Sequence, residues 1–236
     1  MGWTPWIDDR YPPHSFVPFL LYQGRTNVIG LGINASDGFA TRSAPYRSTF
    51  YNTQGKGHNS KPDDRVVASS LYIPASWGDP TQGSRRTDIW IEIVPANTDY
   101  AIIGFTNYGG PPRYRVWTED AGGHWIDLTT PVVYDAWTDF RIEYDGSHFK
   151  YFINDILIQT TASLVANEVF FDIKLEAYNF TDDPSITGAF AGDPLGNYVA
   201  HWTNPTPEVT VRSPCGCSER RQKLYDAFNA VVDFLF

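Results

Sequence analysis

The sequence predicts an all-β fold, a two-sheet antiparallel sandwich followed by one short C-terminal α-helix. Three observations carry that prediction. Apolar and polar residues alternate with period two in about a dozen short runs, the mark of half-buried strands. Glycine (19) and proline (17) are spread along the chain as turn punctuation, not pooled in one segment. Aromatic residues make up 16% of the chain, with 8 Trp, 14 Tyr and 15 Phe, more than a plain helical protein uses. The 236 residues and a 42% hydrophobic fraction are enough for one large core without metal or disulfide support.

The clearest run is Trp137–Thr160, WTDFRIEYDGSHFKYFINDILIQT. Phe140, Ile142 and Tyr144 alternate with Arg141, Glu143 and Asp145 before an Asp145-Gly146 turn, where glycine tolerates positive φ. Phe149, Tyr151 and Ile153 then face one way, and Lys150, Phe152 and Asn154 the other. Asn154-Asp155 offers a second turn into Ile156–Ile158. This run reads as three antiparallel strands.

Residues 1–15, rich in Trp, Pro and Asp, read as an irregular arm, with Trp3 and Trp6 tucked against the body. Strands are expected at Phe16–Tyr22, Asn27–Ile33, Phe39–Ala44 and Tyr46–Tyr51. Asn52–Asp64, NTQGKGHNSKPDD, has no periodicity and reads as a polar loop, with His58 as a solvated side chain. Alternation returns at Arg65–Pro74, and a second loop spans Ala75–Thr87. Asp88–Val94 is a well-marked strand, with Ile89, Ile91 and Ile93 on one face and Asp88, Trp90 and Glu92 on the other. Tyr100–Phe105, Tyr114–Thr118, Trp125–Leu128, Val169–Tyr178, Tyr198–Thr203 and Glu208–Arg212 continue the series. In Val169–Tyr178, Phe171, Ile173, Leu175 and Ala177 are expected to point inward. The tail, residues 213–236, changes period. Leu224, Phe228, Val231 or Val232, and Leu235 share one helical stripe after the N-cap candidate Ser218. That apolar helix would dock on its own sandwich or on a second subunit.

A net charge of -9 disfavours binding to nucleic acid through a basic face and disfavours anionic membrane surfaces. It does not exclude sugars, which are recognised by stacking and hydrogen bonds. No run is long and apolar enough for membrane insertion. The start lacks the pattern of a signal peptide, so the expected setting, extracellular or on a particle surface, implies either a mature or excised form or another export route, for instance in a virus particle. Cys215 and Cys217 are one residue apart, too close for an unstrained bridge. They read as free thiols, although His201 or a second subunit could complete a zinc site with them. No cofactor is expected. Calcium could use Asp182, Asp183 and Asp193, which lack EF-hand spacing, and Asn179-Phe180-Thr181 is a glycosylation sequon.

The strings RVVASSLYIP, TDIWIEI and AWTDFRIEYDGSHFKYFINDILI together resemble the concanavalin A-like lectin/glucanase superfamily, including laminin-G-like jelly rolls. Trp137, Phe140, Ile142, Asp145, Gly146 and Asn154 match that pattern, with Asp155 standing where glycine is usual. The resemblance spans roughly residues 16–212 and implies a jelly roll. It also implies a concave sheet face that binds or cleaves glycans. Its glucanases carry E-x-D-x-E on one strand, whereas Asp88–Glu92 reads D-x-W-x-E and places Trp90 where a carboxylate belongs.

If the apolar sets face the core, the opposite faces collect Asp88, Trp90 and Glu92; Arg115, Trp117 and Glu119; Arg141 and Glu143; and Asp172, Lys174 and Glu176. Two readings of that surface stand open. One is a solvated face with opposite charges paired across strands. The other is a carbohydrate-binding surface using Trp90, Glu92, Arg115, Trp117, Arg141 and Glu143, with indoles stacking on sugars and charged groups bonding hydroxyls. The functional expectation is a non-catalytic recognition module for a glycan or polysaccharide. The alternative is a structural or assembly subunit, of a virion or cell surface, self-associating through the N-terminal arm and C-terminal helix. A polysaccharide hydrolase or lyase is third, because no complete catalytic constellation appears; Arg141, Tyr151 and His124 are not grouped by spacing.

Overall fold

The computed structural model describes residues 4–6, 16–33, 51–59, 65–94, 99–164, 169–180, 197–203 and 206–208. In chain order the strands are β1 (Thr4–Trp6), β2 (Phe16–Tyr22), β3 (Arg25–Ile33), β4 (Tyr51–Asn59), β5 (Val66–Ile73), β6 (Arg86–Val94), β7 (Tyr100–Thr106) and β8 (Arg113–Thr118). They continue as β9 (His124–Asp127), β10 (Ala136–Tyr144), β11 (His148–Ile153), β12 (Ile156–Ala162), β13 (Val169–Phe180), β14 (Tyr198–Thr203) and β15 (Thr206–Glu208). Short 3-10 turns at Ala75–Gly78, Pro80–Gln82 and Asp120–Gly122 join some of them. No helix among the described residues is long and apolar enough to cross a membrane.

The strands form two antiparallel sheets. The first runs β1-β4-β13-β6-β7-β8-β9, and the second β12-β11-β10-β5-β14-β3-β2 with β15 on β5. Inward-pointing residues of both sheets make one core, including Ile89, Ile91, Ile103, Phe105, Val116, Ile173 and Leu175 from the first and Leu31, Leu71, Phe140, Ile142, Tyr151 and Trp202 from the second. Polar bonds cross it where a side chain reaches the opposite sheet. Tyr114 and Thr138 hydroxyls lie 2.8 Å apart, and Trp202 Nε1 donates to Thr87 Oγ1 at 2.7 Å. The Tyr198 hydroxyl, from β14, accepts from the Tyr178 N–H at 2.8 Å and lies 2.6 Å from the Arg86 carbonyl, plugging the seam between β6 and β13.

The hairpins are built as their residues dictate. Asp145 Oδ1 accepts from the Ser147 and His148 N–H groups at 3.0 and 2.9 Å, and Gly146 takes φ 103°. Asn154 and Asp155 both sit at positive φ, 49° and 63°, so Asp155 fills the place of the expected glycine in a two-residue turn.

Several expectations are corrected. Asn52–Asp64 is not all loop: residues as far as Asn59 belong to β4, which pairs with β13 over nine positions from Tyr51↔Phe180 to Asn59↔Asp172. Gly55 and Gly57 in that strand erase the alternation by which a strand is read, while the backbone ladder needs no side chains. Thr4–Trp6, within the expected irregular arm, pairs with Gly55–Gly57 of β4. In β13 a register shift between Phe170 and Asp172 puts Phe170 into the core. The expected strands at 39–44 and 46–50, the terminal helix, Cys215 and Cys217, the three calcium candidates and most of residues 1–15 lie outside the described residues.

Candidate functional site on the outer face of the first sheet

The register of β13, β6, β7, β8 and β9 aligns outward-facing residues in rows across the first sheet. One row runs Lys174, Trp90, Ile102, Trp117 and Trp125. The next runs Glu176, Asp88, Gly104, Arg115 and Asp127, and a row on the other side of Trp90 holds Glu92 and Tyr100. Paired residues of an antiparallel ladder share a face, so each row is a set of neighbours.

The aromatic row is half-buried. Trp90 packs edge-on against Tyr100, ring centroids 5.4 Å apart, and Trp117 against Trp125 at 5.1 Å. Trp117 Nε1 donates to Glu119 Oε1 at 2.6 Å, which fixes the ring orientation. Gly123, at φ 79°, leaves room for that ring, since a Cβ there would come within 2.7 Å of Trp117 Cζ2. Trp90 Nε1 is buried and has no hydrogen-bond partner among the described residues. Glu92 pairs with Lys174, Oε2 to Nζ, at 3.1 Å.

Beside the aromatic row lies a layer of buried charge. Asp88 is 0% exposed, Glu176 1%, and Arg86 and Arg115 8% each. Arg86 Nε pairs with Asp88 Oδ2 at 2.9 Å, and its guanidinium stacks on Tyr178 at 3.9 Å and faces Trp125 at 4.8 Å. Arg113 Nε pairs with Asp127 Oδ1 at 2.8 Å. Arg115 stacks on Trp125 at 3.8 Å. Burial, helped by the nearby Arg86 charge, brings its guanidinium down to about 9. Burial pushes the Glu176 carboxyl up to about 7, opposed by the bond from the Tyr178 hydroxyl and by Lys174, and reinforced by Asp88. Gly104 belongs to this layer for a steric reason. A Cβ there would collide with the Thr87 carbonyl oxygen and the Asp88 carboxylate, so the missing side chain is what lets Asp88 fold across the row toward Arg115.

Of the six expected site residues, the structure brings Trp90, Glu92, Arg115 and Trp117 together. It separates Arg141 and Glu143 from them. These two lie on β10, which pairs with β5 and β11 in the second sheet. The neighbouring Phe140 packs inward against Tyr114 and Trp202, so Arg141 and Glu143 point outward on the opposite side of the sandwich. There Arg141 forms an ion pair with Glu143 and stacks on Phe152 at 3.8 Å. Alternation assigns a side chain to a face of its own strand, whereas sheet membership depends on pairing between distant segments. Trp125, Tyr178 and Tyr100 were missed as members of the face. Trp125 was legible, because a hairpin closed by EDAGG sets it directly opposite Trp117. Glu176 was expected on the outer face with Lys174, but nothing local signals its burial there.

Among the described residues no group of three or more His, Cys, Asp or Glu side chains could hold a metal ion. His201, a possible zinc partner of the cysteines, stacks on Tyr22 at 3.8 Å on the second sheet, where burial lowers it to about 4.

No protein-family model matches the chain, and no curated protein matches it. Solved structures do. The GlcNAcα1-4Gal-releasing endo-β-galactosidase of Clostridium perfringens superposes with a TM-score of 0.56 at 8% identity, over 87% of this chain and 59% of that one. The carbohydrate-binding module CBM66 of Bacillus subtilis gives 0.42 at 12% identity, over 77% and 94% of the two chains. The β-glucanase of Bacillus licheniformis gives 0.45 at 10%, over 86% and 89%. Identities this low speak for the fold alone. With its two antiparallel sheets, the chain has a jelly-roll sandwich fold, which it shares with the Clostridium perfringens endo-β-galactosidase.

Proposed function

We propose that the outer face of the first sheet is a carbohydrate-binding surface and that the chain is a non-catalytic recognition module. The observation that carries this is the row of three half-buried indoles, Trp90, Trp117 and Trp125, aligned across neighbouring strands. A solvated sheet face has no reason to hold three indoles in register with charged side chains on both flanks, whereas sugar rings stack on aromatic faces and present hydroxyls to neighbouring polar groups. Arg141 and Glu143 have no part in this surface.

Binding without cleavage is the form the carboxylates favour. Glycoside hydrolysis takes two carboxyl groups flanking the scissile bond. Here Asp88 is fully buried against Arg86, Glu176 is buried under the Tyr178 hydroxyl, and Glu92 is paired with Lys174. All three are engaged within the sheet. A glycan array with wild type and the Trp90→Ala/Trp117→Ala double variant tests the reading. The expected result is wild-type binding lost in the variant, with its melting temperature within a few degrees of wild type, because both rings sit outside the core. Unfolding of each single variant would make the rings structural and overturn the proposal. Release of reducing ends from a bound polysaccharide would overturn its non-catalytic part.

A further inference from the structure

The glycan-binding reading, on which this inference rests, leaves open the chemistry of the sugar, and the buried charges beneath the indoles narrow it. Three guanidinium groups, Arg86, Arg113 and Arg115, lie close together, near enough for the first two to add to burial in depressing the proton affinity of the third. Arg86 and Arg113 each have a carboxylate, Asp88 at 2.9 Å and Asp127 at 2.8 Å. Arg115 has none. It is only 8% exposed, its Nε is a buried polar atom without a partner, and among the described residues it makes no hydrogen bond or ion pair. Its stabilising contact is the face of Trp125 at 3.8 Å.

A buried, unpaired guanidinium is expensive, and proteins rarely keep one without something to meet it. The acids nearby do not bond it, although the Asp88 charge favours its cation through space. Asp88 gives Oδ2 to Arg86, and among the described residues its Oδ1 has no hydrogen-bond partner. Glu176, on the far side of Asp88 in the same row, takes the Tyr178 hydroxyl and is held partly protonated near neutral pH by burial. The layer therefore holds one more cation than it has paired carboxylates, within a chain whose net charge is -9. Such an excess is the opposite of the surface around it and selects for an anion.

We infer that Arg115 anchors an anionic substituent of the bound sugar, a uronate carboxylate or a sulfate ester, while the ring lies along Trp125 and Trp117. The planar fork of arginine suits a two-oxygen acceptor, and stacking on an indole preorganises it.

Titration calorimetry on the full chain tests this with matched probes: oligogalacturonate and its methyl ester, and a sulfated galactan oligosaccharide and its desulfated form. At least one acidic probe should bind about tenfold or more tightly than its neutral counterpart, as a charge-assisted pair contributes. Arg115→Gln should abolish that preference, bringing the ratio of acidic to neutral affinity to within about twofold of one, while Arg115→Lys keeps part of it. Which acidic probe responds distinguishes carboxylate from sulfate. Circular dichroism melts of both variants check folding; if Arg115→Gln unfolds, a preference reduced but still present in folded Arg115→Lys carries the test, and an unchanged one overturns the anchor. Equal affinity for acidic and neutral probes, or a preference that survives Arg115→Gln, overturns the anionic anchor and leaves the glycan surface standing. Silence towards all four probes and across the glycan array overturns the glycan reading, and the anchor with it.

Discussion

Replacing Glu176 by Gln should reshape the dependence of stability on pH. Glu176 faces Asp88 and Arg86 from β6 and lies between Lys174 and Tyr178 on its own strand, and its carboxyl is 1% exposed. Burial, more than any neighbour, raises it from 4.5 to about 7. Between those values the folded chain holds a proton that the unfolded chain has released. Stability therefore falls as pH rises through that window and levels off above it. The displacement corresponds to roughly 3 kcal/mol. Gln keeps the acceptor for the Tyr178 hydroxyl and cannot ionise, and its amide can donate toward the unpartnered Asp88 Oδ1. Glu176→Gln should thus be more stable than wild type at pH 8 by roughly 1–3 kcal/mol, and nearly equal to it at pH 5. Urea denaturation at half-unit intervals from pH 5 to 8 reads the difference. His201 imposes the opposite slope, because burial lowers it from 6.5 to about 4, so its contribution grows with pH. Both proteins retain that group, and it cancels in the difference curve. A difference independent of pH, or a variant less stable than wild type at pH 8, would refute the argument that desolvation of a carboxylate governs this layer.

Two further substitutions probe how the face is held. Tyr198→Phe removes the hydroxyl between the Arg86 and Tyr178 backbones and should cost roughly 2–4 kcal/mol in urea denaturation, because buried backbone groups lose their partner. A loss under about 0.5 kcal/mol would mean the seam closes without it. Gly104→Ala drives a methyl group against the Thr87 backbone and Asp88; it should destabilise by roughly 1–3 kcal/mol and weaken glycan binding together, since Asp88 packs over that residue and Arg115 is its partner in the ladder. Normal stability with unchanged binding would sink that account. In glycan-binding assays, Trp90→Ala with Trp117→Ala should erase binding, and Arg115→Gln should erase its preference for acidic sugars.

Strand existence and facing were legible in the chain wherever side chains alternate. Ile89, Ile91 and Ile93 are all 0% exposed, as are Ile142 and Tyr151, as their spacing predicts. The two turns after Tyr144 and Ile153 were equally local, because positive φ is written into Gly146 and tolerated by Asn154 and Asp155. β4 escaped notice because its glycines carry no pattern and its strand character comes from a partner more than a hundred residues away, β13.

The candidate face divides in the same way. That Trp90, Glu92, Arg115, Trp117, Arg141 and Glu143 all point away from the core was readable from the chain, since a period of two is a property of one strand. That the first four share one sheet and the last two lie on the other emerged only when the strands were paired in space. Pairing also brought Trp125 into the aromatic row, buried Glu176 and left Arg115 without a carboxylate. Contacts between strands distant in sequence set those relations, and with them the desolvation and charge balance that no single strand contains.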